Sequence, residues 1–410
     1  MLSSLKMLFS LMITLLFFGI LFTTLVSDVR PSPPPVPLPP ALKVPSPPKG
    51  CKGCSDVRPS PPPVPLPPAL KVPSPPKGCK GCSDVRPSPP PVPLPPALKV
   101  PSPPKGCKGC RGSLIEKVMA RYFQTWKKEQ ENSTKFRDLL RSTCHGFTKA
   151  VVSQDNTPVG AQIVYDGEKR KPLSVTAIFN TFAKRNPFSN KTWDTCSVVG
   201  NGGILSNSTC GEMIDSAQFV IRCNLPPVEN SFLKDVGNKT NLVTANPSIF
   251  LQKFRGLQER RRPFMESMRR YNDSLMLLPA FSYSTNTAVS LRALYTIEDF
   301  ESPIRPVFLN PEYLQNLHSF WRSKGLNKRL SSGLMVASLA LELCTNVHLY
   351  GFWPFDQHPL SHQPLNNHYY DNVPSKKNVH AMPAEFDHLL RLHEQGVLKI
   401  HLGECRPSSR

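Results

Sequence analysis

Residues 27–110 are three identical copies of a 28-residue unit, SDVRPSPPPVPLPPALKVPSPPKGCKGC. Proline at this density removes the N–H donors that helices and sheet ladders need, and it favours polyproline II. The unit therefore builds no core of its own and reads as a semi-rigid stalk. Fully extended at about 3.1 Å per residue, the three copies would reach on the order of 260 Å. Each copy ends in a Cys-x-x-Cys pair: Cys51/Cys54, Cys79/Cys82 and Cys107/Cys110. Zinc would need two pairs to converge with no histidine in the repeats to help, and redox chemistry would need a thioredoxin-like βαβ setting. Local or interchain disulfides are the simpler reading.

Ahead of the repeats, Met7 to Val26 is an uncharged apolar run of 20 residues, which is bilayer length. A cleaved signal peptide has a shorter apolar core and a small-residue cleavage site. The expectation is a transmembrane signal anchor at 7–26, a cytoplasmic tail at 1–6 and a lumenal remainder. Five N-x-S/T sequons, at Asn132, Asn190, Asn207, Asn238 and Asn272, and twelve cysteines suit an oxidising, glycosylating compartment. The chain carries a formal charge of +21, of which the repeats, each with one Asp against one Arg and three Lys, supply +9. No nucleic-acid module accompanies the rest, so acidic substrates are the better match. Basic clusters at Lys169–Lys171, Lys184–Arg185 and Arg260–Arg262, the last interrupted by Glu259 and Glu266, read as solvated surface.

Beyond the repeats the pattern changes. Residues 111–141 are helical and charged and read as a stem leading into a globular domain at 142–410. There, strand-like runs at Cys196–Val199, Phe219–Arg222, Leu242–Ala245, Leu275–Leu278, Pro306–Leu309 and Val347–Tyr350 alternate with helical stretches such as Ser332–Leu343 and Ala384–Gln395. Such alternation predicts an α/β domain with a mostly parallel sheet.

The first of these strands runs into Gly200, Asn201, Gly202 and Gly203, a turn that lets backbone approach a ligand. Alone, it is equally a tight packing turn. Its wider context is more specific. CSVVGNGGILSNSTCGEMIDSAQFVIRCNLPP resembles the large sialyl motif of the animal sialyltransferases, and RLSSGLMVASLALELCTNVHLYGFWPF resembles their small motif. HYYD, from His368 to Asp371, is similar to the third motif, and HAMPAE, from His380 to Glu385, to the very small one. Within that family RCNLPP, GFWPF and HYYDN point to the mono- or oligo-α2,8 branch. The resemblance covers the chain from about residue 140 onward and does not reach the stalk.

The resemblance implies a Rossmann-like glycosyltransferase fold of GT-A variant type, CMP-sialic acid as donor, inversion, and no metal or other cofactor. The absence of any Asp-x-Asp from the chain agrees with the last expectation. His380 matches the catalytic base, a role that suits imidazole, and His368 the histidine that meets the donor phosphate. Asn201 and Asn224 match donor-binding asparagines. Ser331, Ser332 and Gly333 match a Ser-Thr-Gly turn at a helix start, with Ser332 in place of Thr. Trp353 is expected to line the nucleotide pocket or to pack in the core. Asn367 stands where relatives carry His or Tyr, and its contact is left open. Cys196 with Cys344, and Cys210 with Cys405, match the family's disulfides. The expected setting is the Golgi membrane, single-pass type II, with the catalytic domain in the lumen. Expected partners are sialylated glycoproteins or glycolipids as acceptors, no nucleic acid, and a homodimer allowed. The alternatives are α2,3 or α2,6 linkage, or an inactive glycan-binding relative.

Overall fold

The structure is a computed structural model that describes residues 110–189, 191–374 and 379–405. The apolar run at 7–26, the repeats up to residue 109 and the Asn190 sequon lie outside these residues. Strands β1 (Val151–Val152), β4 (Trp193–Val199), β5 (Phe219–Arg222), β6 (Leu242–Thr244), β7 (Leu275–Leu278), β8 (Arg305–Leu309), β9 (Cys344–Tyr350) and β10 (Lys399–His401) form one sheet, while β2 (Gln162–Ile163) and β3 (Leu173–Ser174) pair separately. The sheet order is β1-β8-β7-β6-β5-β4-β9-β10. Every neighbouring pair runs parallel except β1 with β8.

Side chains alternate between two cores. Phe219 and Ile221 face one and Val220 the other, and Leu275 and Leu277 part from Met276 and Leu278 in the same way. Burial on both faces explains why these strands read as unbroken apolar runs. The first core is covered by α1 (Cys110–Tyr122), α2 (Gln130–Cys144), α6 (Pro311–Ser323), α7 (Ser332–Leu343) and α8 (Met382–Glu394). The second is covered by α3 (Pro247–Phe254), α4 (Arg261–Met268) and α5 (Ser284–Asp299). Among the described residues no helix is long and apolar enough to cross a membrane.

The expected division between a stem at 111–141 and a domain starting at 142 has no counterpart here. Ile115, Val118 and Met119 of α1, with Leu140 and Cys144 of α2, are buried in the first core. Arg121 bridges to Asp387 at 2.6 Å and Glu394 at 2.7 Å on α8. Each helix turns an apolar stripe inward, and its charged face conceals that stripe in the sequence.

From β4 the chain steps outward through β5, β6, β7 and β8, then returns to lay β9 on the other side of β4. Strand order therefore reverses between β4 and β9, the kind of switch point at whose carboxyl ends open α/β sheets bind their ligands. Two disulfides brace this region. Cys196–Cys344 joins β4 to the start of β9 (Cα–Cα 6.0 Å), and Cys210–Cys405 ties the C-terminal segment beside it (Cα–Cα 4.8 Å). Cys144 and Cys223 are buried free thiols, and burial pushes the Cys223 thiol up to about 12.

Candidate active site

The glycine turn after β4 is zipped to the turn after β9. Gly200 N–H donates to Tyr350 O at 2.8 Å and Gly202 N–H to Gly351 O at 3.1 Å. A Cβ on Gly202 would lie 2.6 Å from Gly351 O, and one on Gly203 would lie 2.1 Å from Asn366 O. Only glycine permits this approach. It brings the third motif over the turn: His368 bridges Gly202, and Tyr369 N–H donates to Asn201 O at 3.0 Å.

Asn201 donates its amide to Cys223 O at 2.9 Å and to the Tyr370 hydroxyl at 3.4 Å. Its Oδ1 is buried with no partner among the described residues. A buried unpaired acceptor is costly, and a ligand donor would satisfy it. Asn224, at φ 60°, follows β5. Its N–H donates to Thr244 Oγ1 at 2.8 Å, and its Oδ1 accepts from Asn246 N–H at 3.0 Å, which leaves the side-chain amide to donate. Asn246 in turn accepts from Ser332 Oγ at 3.2 Å.

Ser331 caps α7, its hydroxyl accepting from Leu334 N–H at 3.1 Å. Its own N–H donates to Glu385 Oε1 at 2.9 Å, so the small and very small motifs are tied together. Burial raises the Glu385 carboxyl above its ordinary range, an effect opposed by Ser331 and His380. The amides of Ser332 and Gly333 open the helix and suit an anion.

His380 lies just before α8, and its Nδ1 is 2.9 Å from Arg329 O. A carbonyl can only accept, so Nδ1 is the donor, and in the neutral tautomer this contact selects, the lone pair is on Nε2. His368 Nδ1 lies 2.7 Å from Asp371 Oδ1, and its ring stacks on Tyr370 at 5.1 Å. Asn367, exposed, donates to Val373 O at 2.9 Å and lies 3.2 Å from His368 Nε2. Trp353 is 7% exposed. Its ring packs edge-on against Phe355 and Phe386, and its N–H donates to Gln357 O at 2.8 Å. It forms part of the first core.

The structure thus links Asn201, His368 and the glycine turn in one cluster, and Asn224, Ser332, Ser331 and His380 in another. Sequence reasoning missed Tyr370, Asp371, Asn246 and the Arg329 carbonyl. Asp371 was visible three residues after His368. The Arg329 contact is made by backbone and leaves no mark in residue type.

Residues 151–397 match Glycosyltransferase family 29 (sialyltransferase). Alpha-2,8-sialyltransferase 8F of Mus musculus is 46% identical over 282 residues, 68% of this chain and 71% of that protein. Alpha-2,8-sialyltransferase 8E of Homo sapiens is 42% identical, over 68% and 75% of the two chains. Alpha-N-acetylneuraminide alpha-2,8-sialyltransferase of Xenopus laevis is 44% identical, over 68% and 78%.

Proposed function

The chain belongs to Glycosyltransferase family 29, the sialyltransferases, and from that premise we propose that it transfers sialic acid from CMP-sialic acid, in α2,8 linkage, to a terminal sialic acid. The acceptors are O-glycans of glycoproteins or gangliosides, and transfer inverts the anomeric centre without a metal. The linkage follows the relatives' names. The observation that carries the chemistry is the His380–Arg329 contact, which makes Nδ1 the donor and Nε2 the nitrogen available to take a proton.

In the reaction, Nε2 of His380 takes the acceptor hydroxyl proton as that oxygen attacks the anomeric carbon. The bond to the CMP oxygen breaks on the opposite face, and CMP departs with the electron pair. His368 and the amides of Ser332 and Gly333 receive the phosphate charge. Asn201 and Asn224 hold the donor. We further assign the apolar run at 7–26 as a type II anchor in the Golgi membrane, with the domain in the lumen. Asn132, Asn207, Asn238 and Asn272 are exposed and open to glycosylation there.

The test incubates the full-length chain in detergent with CMP-sialic acid, EDTA and α2,3-sialylated acceptors. The expected product is a disialyl terminus, and His380→Ala is expected to lose about a hundredfold or more in rate. Absence of both transfer and CMP release from the wild type overturns the enzymatic reading. Transfer to galactose alone overturns the linkage.

A further inference from the structure

Arg329 has two faces. Its carbonyl holds the proposed base, and its side chain enters a separate cavity of roughly 260 Å³. This cavity is lined by Asp166, Tyr283, His318, Arg322, Lys328 and Arg329, among others. The Arg329 guanidinium donates to the Tyr283 hydroxyl at 3.1 Å and lies 5.2 Å from the centre of that ring. The walls are well fixed. Gly167 N–H donates to Ser282 O at 2.9 Å, and a Cβ on Gly167 would meet the Tyr283 ring at 2.7 Å. Leu330 N–H donates to His318 Nε2 at 3.1 Å, joining the loop before α7 to α6.

Concavity sets this cavity's charges apart from the basic clusters visible in the sequence, of which Arg170 pairs with Glu168, Arg261 with Asp299 and Arg262 with Glu266. Arg322, Lys328 and Arg329 make no salt bridge among the described residues, and the one carboxylate of the lining, the half-buried Asp166, attracts Arg329 and His318 from within the same cavity. Three cations against one carboxylate leave a concave, polar site with a net positive charge that attracts an anion. The volume suits one sugar residue rather than a polymer.

We infer that this cavity is the acceptor subsite, where Arg322, Lys328 and Arg329 receive the carboxylate of an acidic terminal sugar and so present its hydroxyl to Nε2 of His380. The inference rests on the sialyl-acceptor reading above and adds the place and the residues that select it. Arg329 is a positioning residue for the base through its backbone and a specificity residue through its side chain. Because the carbonyl survives substitution, the second role can be removed alone.

The experiment uses the full-length chain and measures KM for acceptor and donor, kcat, and acceptor-free hydrolysis of CMP-sialic acid. The variants are Arg329→Gln, Arg329→Lys and Arg322→Ala/Lys328→Ala. Acceptor KM is expected to rise about tenfold or more in Arg329→Gln and in the double variant. Donor KM and hydrolysis stay at wild-type values in Arg322→Ala/Lys328→Ala, and Arg329→Lys recovers part of the acceptor-KM loss of Arg329→Gln. A methyl ester of the acceptor carboxylate should be a poor substrate for the wild type, with the penalty shrinking in the variants. Disialyl product with an unchanged acceptor KM in every variant overturns the cavity assignment alone. An equal rise in donor KM overturns it too. A wild type that ignores sialylated acceptors overturns the underlying reading as well.

Discussion

A histidine is useful as a base only when one ring nitrogen is held as donor and the other is open. Arg329 O does this for His380, and Asp371 Oδ1 fixes Nδ1 of His368. The two contacts differ in what mutation can reach. Asp371→Asn leaves a group of the same shape, but one able to donate, so the His368 ring loses its fixed tautomer. The expected result is a fall in kcat of about tenfold to a hundredfold with donor KM changed much less. Steady-state kinetics in both substrates checks this, and a loss confined to donor KM would remove Asp371 from the reaction. Tyr370, pushed up to about 12 by burial, stays protonated and accepts from Asn201, which completes the frame around His368. At this scale the motif residues could be read from the chain because they are rare side chains at fixed spacing. Their partners could not, since a carbonyl belongs to every residue.

Among the elements, α7 carries the least obvious design. It is apolar along nearly its whole length, yet Glu342 sits in its last turn and is fully buried. The carboxylate accepts from Gly146 N–H at 2.6 Å and from the Tyr313 hydroxyl at 3.0 Å, joining α7 to α6 and to the turn after α2. Burial pushes Glu342 up to about 7 from an ordinary 4.5, against the pull of Gly146, Tyr313 and Arg141. The folded state therefore holds this proton more tightly than the unfolded chain. The resulting stabilisation is complete below pH 4.5, declines as pH rises through the window to 7, and is absent above it; its size is on the order of 3 kcal/mol. Glu342→Gln cannot ionise, so its thermal midpoint should stay flatter between pH 5 and pH 8 while that of the wild type falls by several degrees relative to it. Parallel slopes would show that Glu342 does not titrate in this range. The long strands beside α7 were legible because both their faces are buried, and β5 and β7 match their apolar runs end to end. β4 and β9 begin three residues earlier than expected, where the side chains turn polar at the sheet margin. β1 and β10, of two and three residues, are too short to set up any pattern.

For the molecule as a whole, the question is where the folded body begins. Composition marks a boundary at the last repeat, which lies outside the described residues, and charge pattern suggested another near residue 142. The second fails because α1 and α2 close one face of the sheet. Besides its buried apolar side chains and the Arg121 ion pairs, this segment sends Trp126 Nε1 to Leu398 O at 3.0 Å. Lys128 Nζ reaches Thr345 O at 3.0 Å and Val397 O at 3.3 Å. These contacts all fall on β9, β10 and α8 or the turn between them, the elements that carry the small and very small motifs. Burying Ile115, Val118 and Met119 contributes on the order of 5 kcal/mol, which is comparable to the whole stability of an ordinary domain. Deleting residues 27–109 should therefore leave the thermal midpoint and CMP-sialic acid hydrolysis unchanged. Extending the deletion to residue 128 should lower the midpoint by ten degrees or more, at about 2–4 °C per kcal/mol, or abolish folding. Thermal unfolding and donor hydrolysis on the two deletion variants decide it. Equal midpoints would make α1 an ornament on a domain that starts later, whereas a collapse confined to the longer deletion would place the catalytic body's true start at the last repeat.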